Sequence, residues 1–135
     1  MKKPQTFEEQ RREGFLKAIS KARSRSHVYI MDALLPSDVF SNEEIISAIK
    51  SALERGVEFH VLTGPRHDRI NGFFLTELGD KIEIRMATPS HYSFIVANDE
   101  VVCDIYKPRV RFLEEGGLSA HHFISVFFKY LHQPE

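Results

Sequence analysis

His91-Tyr92-Ser93-Phe94-Ile95-Val96-Ala97-Asn98-Asp99-Glu100-Val101-Val102-Cys103-Asp104-Ile105-Tyr106 reads as strand, tight turn, strand. Two apolar runs of strand length flank Asn98-Asp99-Glu100. Asn and Asp tolerate positive φ at little cost, so the three residues predict a hairpin. An imidazole, His91, stands at the mouth of the first strand. A small hydroxyl follows two residues later at Ser93, and a carboxamide five further on at Asn98.

Working back from the hairpin, Lys81–Met86 predicts a strand, with Ile82, Ile84 and Met86 alternating toward one face. Ile70, Phe73, Phe74 and Leu78 share one helical face that stops at Gly79. Thr63-Gly64-Pro65 is a loop after a strand over Val57–Leu62. Ser41 and Glu44 form a capping box for a helix that buries Ile45, Ile46, Ile49, Ala52 and Leu53. Gly56 supplies the left-handed residue at its C-terminus. Val28–Met31 is a short buried strand, and Pro36 forbids a continuing ladder beyond it. Thr6 and Glu9 make an earlier capping box, so a first helix starts near Phe7 and buries Phe15, Leu16, Ile19 and Ala22.

Beyond the hairpin, Lys107–Gly117 is charged and reads as irregular. Ser119 caps a last helix with Phe123, Val126, Phe127 and Leu131 on its face and Tyr130 beside them. The predicted order is α-β-α-β-α-β-β-β-α. Alternating helices and strands favour parallel crossovers with helices on both faces of a sheet. The expectation is an α/β fold: a three-layer α/β/α sandwich with a mixed, largely parallel sheet. It forms one domain over residues 1–135, with a basic N-terminal helix over 1–25 and an α/β core over 26–135.

The 135 residues suit a single core, and the net charge of −1 gives no global pull toward nucleic acid or an anionic membrane. Charge is uneven, however. Residues 1–25 carry eight basic side chains against three acidic ones, which fits either a solvated face or a phosphate-bearing partner. Cys103 is the single cysteine, so no intrachain disulfide or CxxC metal pair exists, and its apolar strand makes it a small core residue. No apolar run is long enough to span a bilayer, and no apolar block of a signal peptide opens the chain. A soluble, cytoplasmic protein without membrane contact is expected. Among the eleven phenylalanines, Phe73, Phe74, Phe123, Phe127 and Phe128 are too many for one buried seam, Phe128 in particular, which favours a homodimer or a contact with another chain, the alternative being a larger sheet to cover.

The layout from about Arg25 to Leu131 resembles one half of a phospholipase D superfamily domain. His91-x-Ser93-x-x-x-x-Asn98 has the spacing of that family's H-x-K-x-x-x-x-D motif. Leu53-Glu54-Arg55-Gly56-Val57 is similar to its "A-x-x-R-G-V-x-V" segment, and Phe123–Tyr130 to its closing aromatic helix. The resemblance implies a site made from two motif halves, assembled by homodimerisation in short members. It also implies that one histidine attacks phosphorus, that the other protonates the leaving group, and that two lysines hold the phosphate oxygens. On this pattern His91 is the catalytic candidate, and His91 of two chains would face each other.

The departures bear on the chemistry. Ser93 stands in the lysine position and Asn98 in the aspartate position, and Ile105-Tyr106-Lys107-Pro108 occupies the place of the downstream Gly-Ser element. A phosphodiester transition state concentrates charge on its nonbridging oxygens, and one missing electrostatic donor costs about 10²–10³ in rate. A dimer lacks two. The motif is degenerate, and a noncatalytic domain for ligand binding or protein interaction, of regulatory type, is expected.

Ser93 and Asn98 remain candidates to hydrogen-bond a ligand. Arg66 and His67 follow the second strand, where open α/β sheets bind ligands, and form a candidate anion site with the next helix. Asp32 ends the first strand, where it is a candidate either to cap a turn or to line the same cleft. Asp32, His67 and His91 have no metal-ligand spacing, so neither metal nor cofactor is expected. His121 and His122 are adjacent on a helix, so one should face the core and the other solvent. Two alternatives remain: a homodimeric phosphodiesterase or nuclease using His91, and a nucleic-acid-binding module using Arg11–Arg25. No aromatic-interleaved basic strand supports the second alternative.

Overall fold

The computed structural model describes residues 5–32, 37–40, 42–64, 78, 80–86, 93–106 and 108–131. Helix α1 (Phe7–Ser20) starts at the predicted capping box: Thr6 Oγ1 accepts from the Glu9 amide at 3.1 Å, and Glu9 reaches back to the Thr6 amide. Strand β1 (His27–Asp32), short helix α2 (Ser37–Phe40), helix α3 (Glu43–Glu54), and strands β2 (Glu58–Thr63) and β3 (Glu83–Met86) follow. Strands β4 (Ser93–Ala97), β5 (Val101–Tyr106) and β6 (Arg109–Leu113) and helix α4 (Gly117–Leu131) complete the order.

The six strands form one sheet in the order β3-β2-β1-β4-β5-β6. β1, β2 and β3 pair in parallel, while β4, β5 and β6 add antiparallel strands on the other side of β1. Strand alternation divides the side chains between two cores. Val28, Ile30, Phe59, Val61, Ile95, Cys103 and Ile105 pack toward α1, α2 and α3. Met31, Leu62, Phe94, Val96 and Val102 pack toward Phe123, Val126 and Phe127 of α4. Helices therefore cover both faces, giving the three-layer α/β/α architecture. Each fully buried Phe, Ile or Leu contributes roughly 1.5–3 kcal/mol relative to exposure.

Several local expectations change. The stretch expected to be irregular contains a strand, because Arg109–Leu113 forms β6, antiparallel to β5. Val110 and Phe112 point toward the α1 core, while Arg111 points away and pairs with Asp104 at 3.1 Å. The charged alternate positions of an edge strand masked its apolar ones. Because β6 adds a pairing, the mixed sheet has three antiparallel ladders against two parallel ones and is not largely parallel. The cap of α3 is Asn42, whose Oδ1 accepts from the amides of Glu44 at 3.0 Å and Ile45 at 3.1 Å. α4 starts at Gly117, two residues before Ser119. His121 and His122 are both exposed, since Ala120, Phe123, Val126 and Phe127 already fill the core face of α4. The helix predicted over 70–78 lies outside the described residues except for Leu78, which is fully buried. Phe128 is half exposed beside Phe127, its ring set edge-on to Tyr29.

Candidate functional site

The chain leaves β1 toward β2 and β3 on one side and returns to place β4 on the other. In open α/β sheets such a switch point opens a crevice outside the carboxyl ends of the strands. Asp32 closes β1 there and Thr63 closes β2, and among the described residues these two are the buried polar side chains. A buried polar group is tolerated only with hydrogen-bond partners, so a pair of them at strand ends marks a place where the core turns polar. Asp32 lies opposite Ser93 in the β1–β4 ladder, and the Ser93 hydroxyl donates to Asp32 Oδ2 at 2.7 Å. Two of the residues singled out from sequence are thus brought into direct contact.

Asn98 is not with them. It lies past the opposite end of β4, at the hairpin turn, with φ of 58°. Its Oδ1 accepts from the Arg23 amide at 2.8 Å and its Nδ2 donates to the Lys21 carbonyl at 2.6 Å. The carboxamide is engaged in fastening the end of α1 to the hairpin. His91, Arg66 and His67 lie outside the described residues.

One strand beyond Ser93, at the same end of the sheet, a cleft of about 700 Å³ opens between β5, β6 and the start of α4. Asp104, Tyr106, Arg111, Leu118, Ser119 and His122 line it. Its size falls within the roughly 300–1,000 Å³ range of small-molecule sites. Leu118 and Tyr106 are 91 % and 78 % exposed at its rim, and Asp104 holds the Arg111 guanidinium at 3.1 Å. The arrangement combines apolar walls with a guanidinium, a hydroxyl and an imidazole, a set suited to orienting a ligand. Sequence reading passed over Arg111 because β6 was not expected, and the Val110-Arg111-Phe112 alternation was the available signal.

Cys103 offers no nucleophile. Burial, with the charge of Asp104 adding to it, pushes its thiol up to about 12, and reactivity requires the thiolate.

No family model and no curated protein matches this sequence. Solved structures do match. A phospholipase D family member, Nuc from Salmonella typhimurium, superposes with a TM-score of 0.63 at 15 % identity, over 90 % of this chain and 86 % of that one. TrmBL2, an archaeal chromatin protein described as showing a novel mode of DNA binding, gives a TM-score of 0.70 at 14 % identity, over 95 % of this chain and 50 % of that one. Polyphosphate kinase from Porphyromonas gingivalis gives 0.57 at 16 % identity, over 96 % of this chain and 25 % of that one. This chain thus spans half of the chromatin protein and a quarter of the kinase. The fold is that of a phospholipase D-like domain.

Proposed function

We propose that this phospholipase D-like domain is noncatalytic and acts in ligand binding or protein interaction, as a homodimer or with another chain. The Ser93–Asp32 contact carries the reading. At the position where the resemblance calls for an ammonium group, a neutral hydroxyl is committed to a buried carboxylate. A carboxylate opposes the charge of a phosphodiester transition state, where oriented cations would stabilise it. On the other face of the sheet, which α4 covers, the cleft lined by Asp104, Arg111, Ser119 and His122 supplies volume and polar groups for a ligand.

The test is hydrolysis of bis-p-nitrophenyl phosphate and of single-stranded DNA by the wild-type protein and by His91→Ala. No turnover by either is expected. Turnover that disappears in His91→Ala would establish the phosphodiesterase alternative instead.

The likeness to a chromatin protein raises nucleic-acid binding as a second reading. The basic N-terminal segment gives it little support. Lys17 pairs with Glu13 at 3.1 Å, Lys21 with Glu114 at 3.0 Å, and Arg23 with Glu100. Salt-sensitive DNA retention lost on neutralising Arg11, Arg12, Arg23 and Arg25 would favour that reading.

A further inference from the structure

At the other end of the sheet, His27 opens β1 and Glu58 opens β2, and the two are opposite each other in the parallel ladder. His60 follows two residues after Glu58 and therefore projects from the same face. His27 Nδ1 lies 2.9 Å from His60 Nε2 and 3.2 Å from Glu58 Oε2. The three donor atoms all fall within 4.8 Å of one another. α4 packs over β1, β4 and β5 but leaves this corner open, so His27 is 47 % exposed and His60 22 %.

We propose that His27, His60 and Glu58 form a binding site for a divalent transition metal ion of the zinc type. Two imidazoles and a carboxylate are a donor set that zinc takes, and borderline nitrogen donors select it over magnesium or calcium. A second observation concerns what stands behind the ligands. Glu83, opposite His60 in the β2–β3 ladder, places Oε1 3.5 Å from His60 Nδ1. That carboxylate favours the proton on Nδ1 and so leaves the Nε2 lone pair facing His27. Metal-bound histidines are held in this way by a carboxylate on their other nitrogen.

The geometry also defines what the site must do on loading. Because the two nitrogens are far closer than the ring centroids, which are 5.1 Å apart, the imidazoles meet edge to edge and share one proton. Tetrahedral coordination at about 2.0–2.1 Å separates ligand nitrogens by about 3.3 Å. The rings therefore part slightly and tilt until both lone pairs converge, and the shared proton moves to Nε2 of His27. The half-exposed His27 makes this change by ordinary rotamer adjustment. Three protein ligands leave the fourth position to solvent.

The experiment titrates chelator-treated protein with zinc alone against a chromophoric chelator. One zinc per chain is expected, with no response to magnesium. His27→Ala, His60→Ala and Glu58→Gln should each lower affinity at least about tenfold, and Glu83→Gln by about 10–100-fold. His121→Ala/His122→Ala should leave it unchanged. Cobalt in place of zinc should give the visible absorption of a four-coordinate ion, lost in the same variants while far-ultraviolet circular dichroism stays native. Absence of zinc binding overturns the proposal, and so does binding that persists undiminished in His27→Ala and His60→Ala.

Discussion

Asn98 and Arg23 are joined across 75 residues: the Asn98 carboxamide accepts the Arg23 backbone amide at 2.8 Å while its nitrogen donates to the Lys21 carbonyl. The Asn98 side chain is a structural clamp between α1 and the hairpin. Asn98→Ala removes both bonds and puts an alanine at φ of 58°. Net hydrogen bonds contribute about 0.5–1.5 kcal/mol each, and a left-handed residue other than Gly or Asn costs about 1–2 kcal/mol. A loss of about 2–3 kcal/mol in urea unfolding is expected, and Asn98→Asp, which keeps the acceptor, should lose less.

Ser93→Ala removes one hydrogen bond from the buried Asp32 carboxylate. The expected destabilisation is about 1–3 kcal/mol. Equilibrium unfolding checks it, and a change within error would show that Asp32 does not depend on this hydroxyl.

Gly14 sits on the buried side of α1 against Cys103, and a Cβ there would collide with the Cys103 sulfur. Gly14→Ala should cost about 1–3 kcal/mol through overpacking, even though alanine favours a helix. In a Cys103→Ala background the same change should be neutral or stabilising. The double-mutant cycle reads that coupling directly.

The Cys103 thiol, ordinarily near 9.0, titrates at about 12 in the fold because burial disfavours the thiolate. Between these values the unfolded chain loses a proton that the folded chain keeps, so stability falls as pH rises through 9 to 12. The rise at Tyr29, also led by burial, acts in the same direction. Alkaline denaturation should therefore set in earlier for the wild type than for Cys103→Ala. A disulfide reagent near neutral pH should label Cys103 only after unfolding.

Phe127 is fully buried and meets Tyr29 edge to face with ring centroids 5.2 Å apart, whereas Leu118 is 91 % exposed. Phe127→Ala should cost about 3–5 kcal/mol. Leu118→Ser should change stability by less than about 0.5 kcal/mol. If Leu118→Ser instead alters sizing behaviour, the rim of the cleft is a contact surface.

Local signals carried most of the architecture. The Thr6–Glu9 box, the apolar spacing of Phe15 and Ile19, the hairpin at Asn98-Asp99 and the face of Phe123 and Phe127 are all short-range patterns. A helix start or a turn is set by residues within a few positions of one another, so these were legible in the chain. β6 was less so, because Arg109 and Arg111 dilute an alternation that is meaningful only beside β5. Resemblance brought attention to His91, Ser93 and Asn98 together, but strand geometry sends Ser93 and Asn98 to opposite ends of β4. Side chains separated by 61 residues in Ser93 and Asp32, or by 33 in His27 and His60, meet only through strand order and register. Those are fixed by which apolar faces α1, α3 and α4 bury, a balance over the whole core that no local stretch encodes.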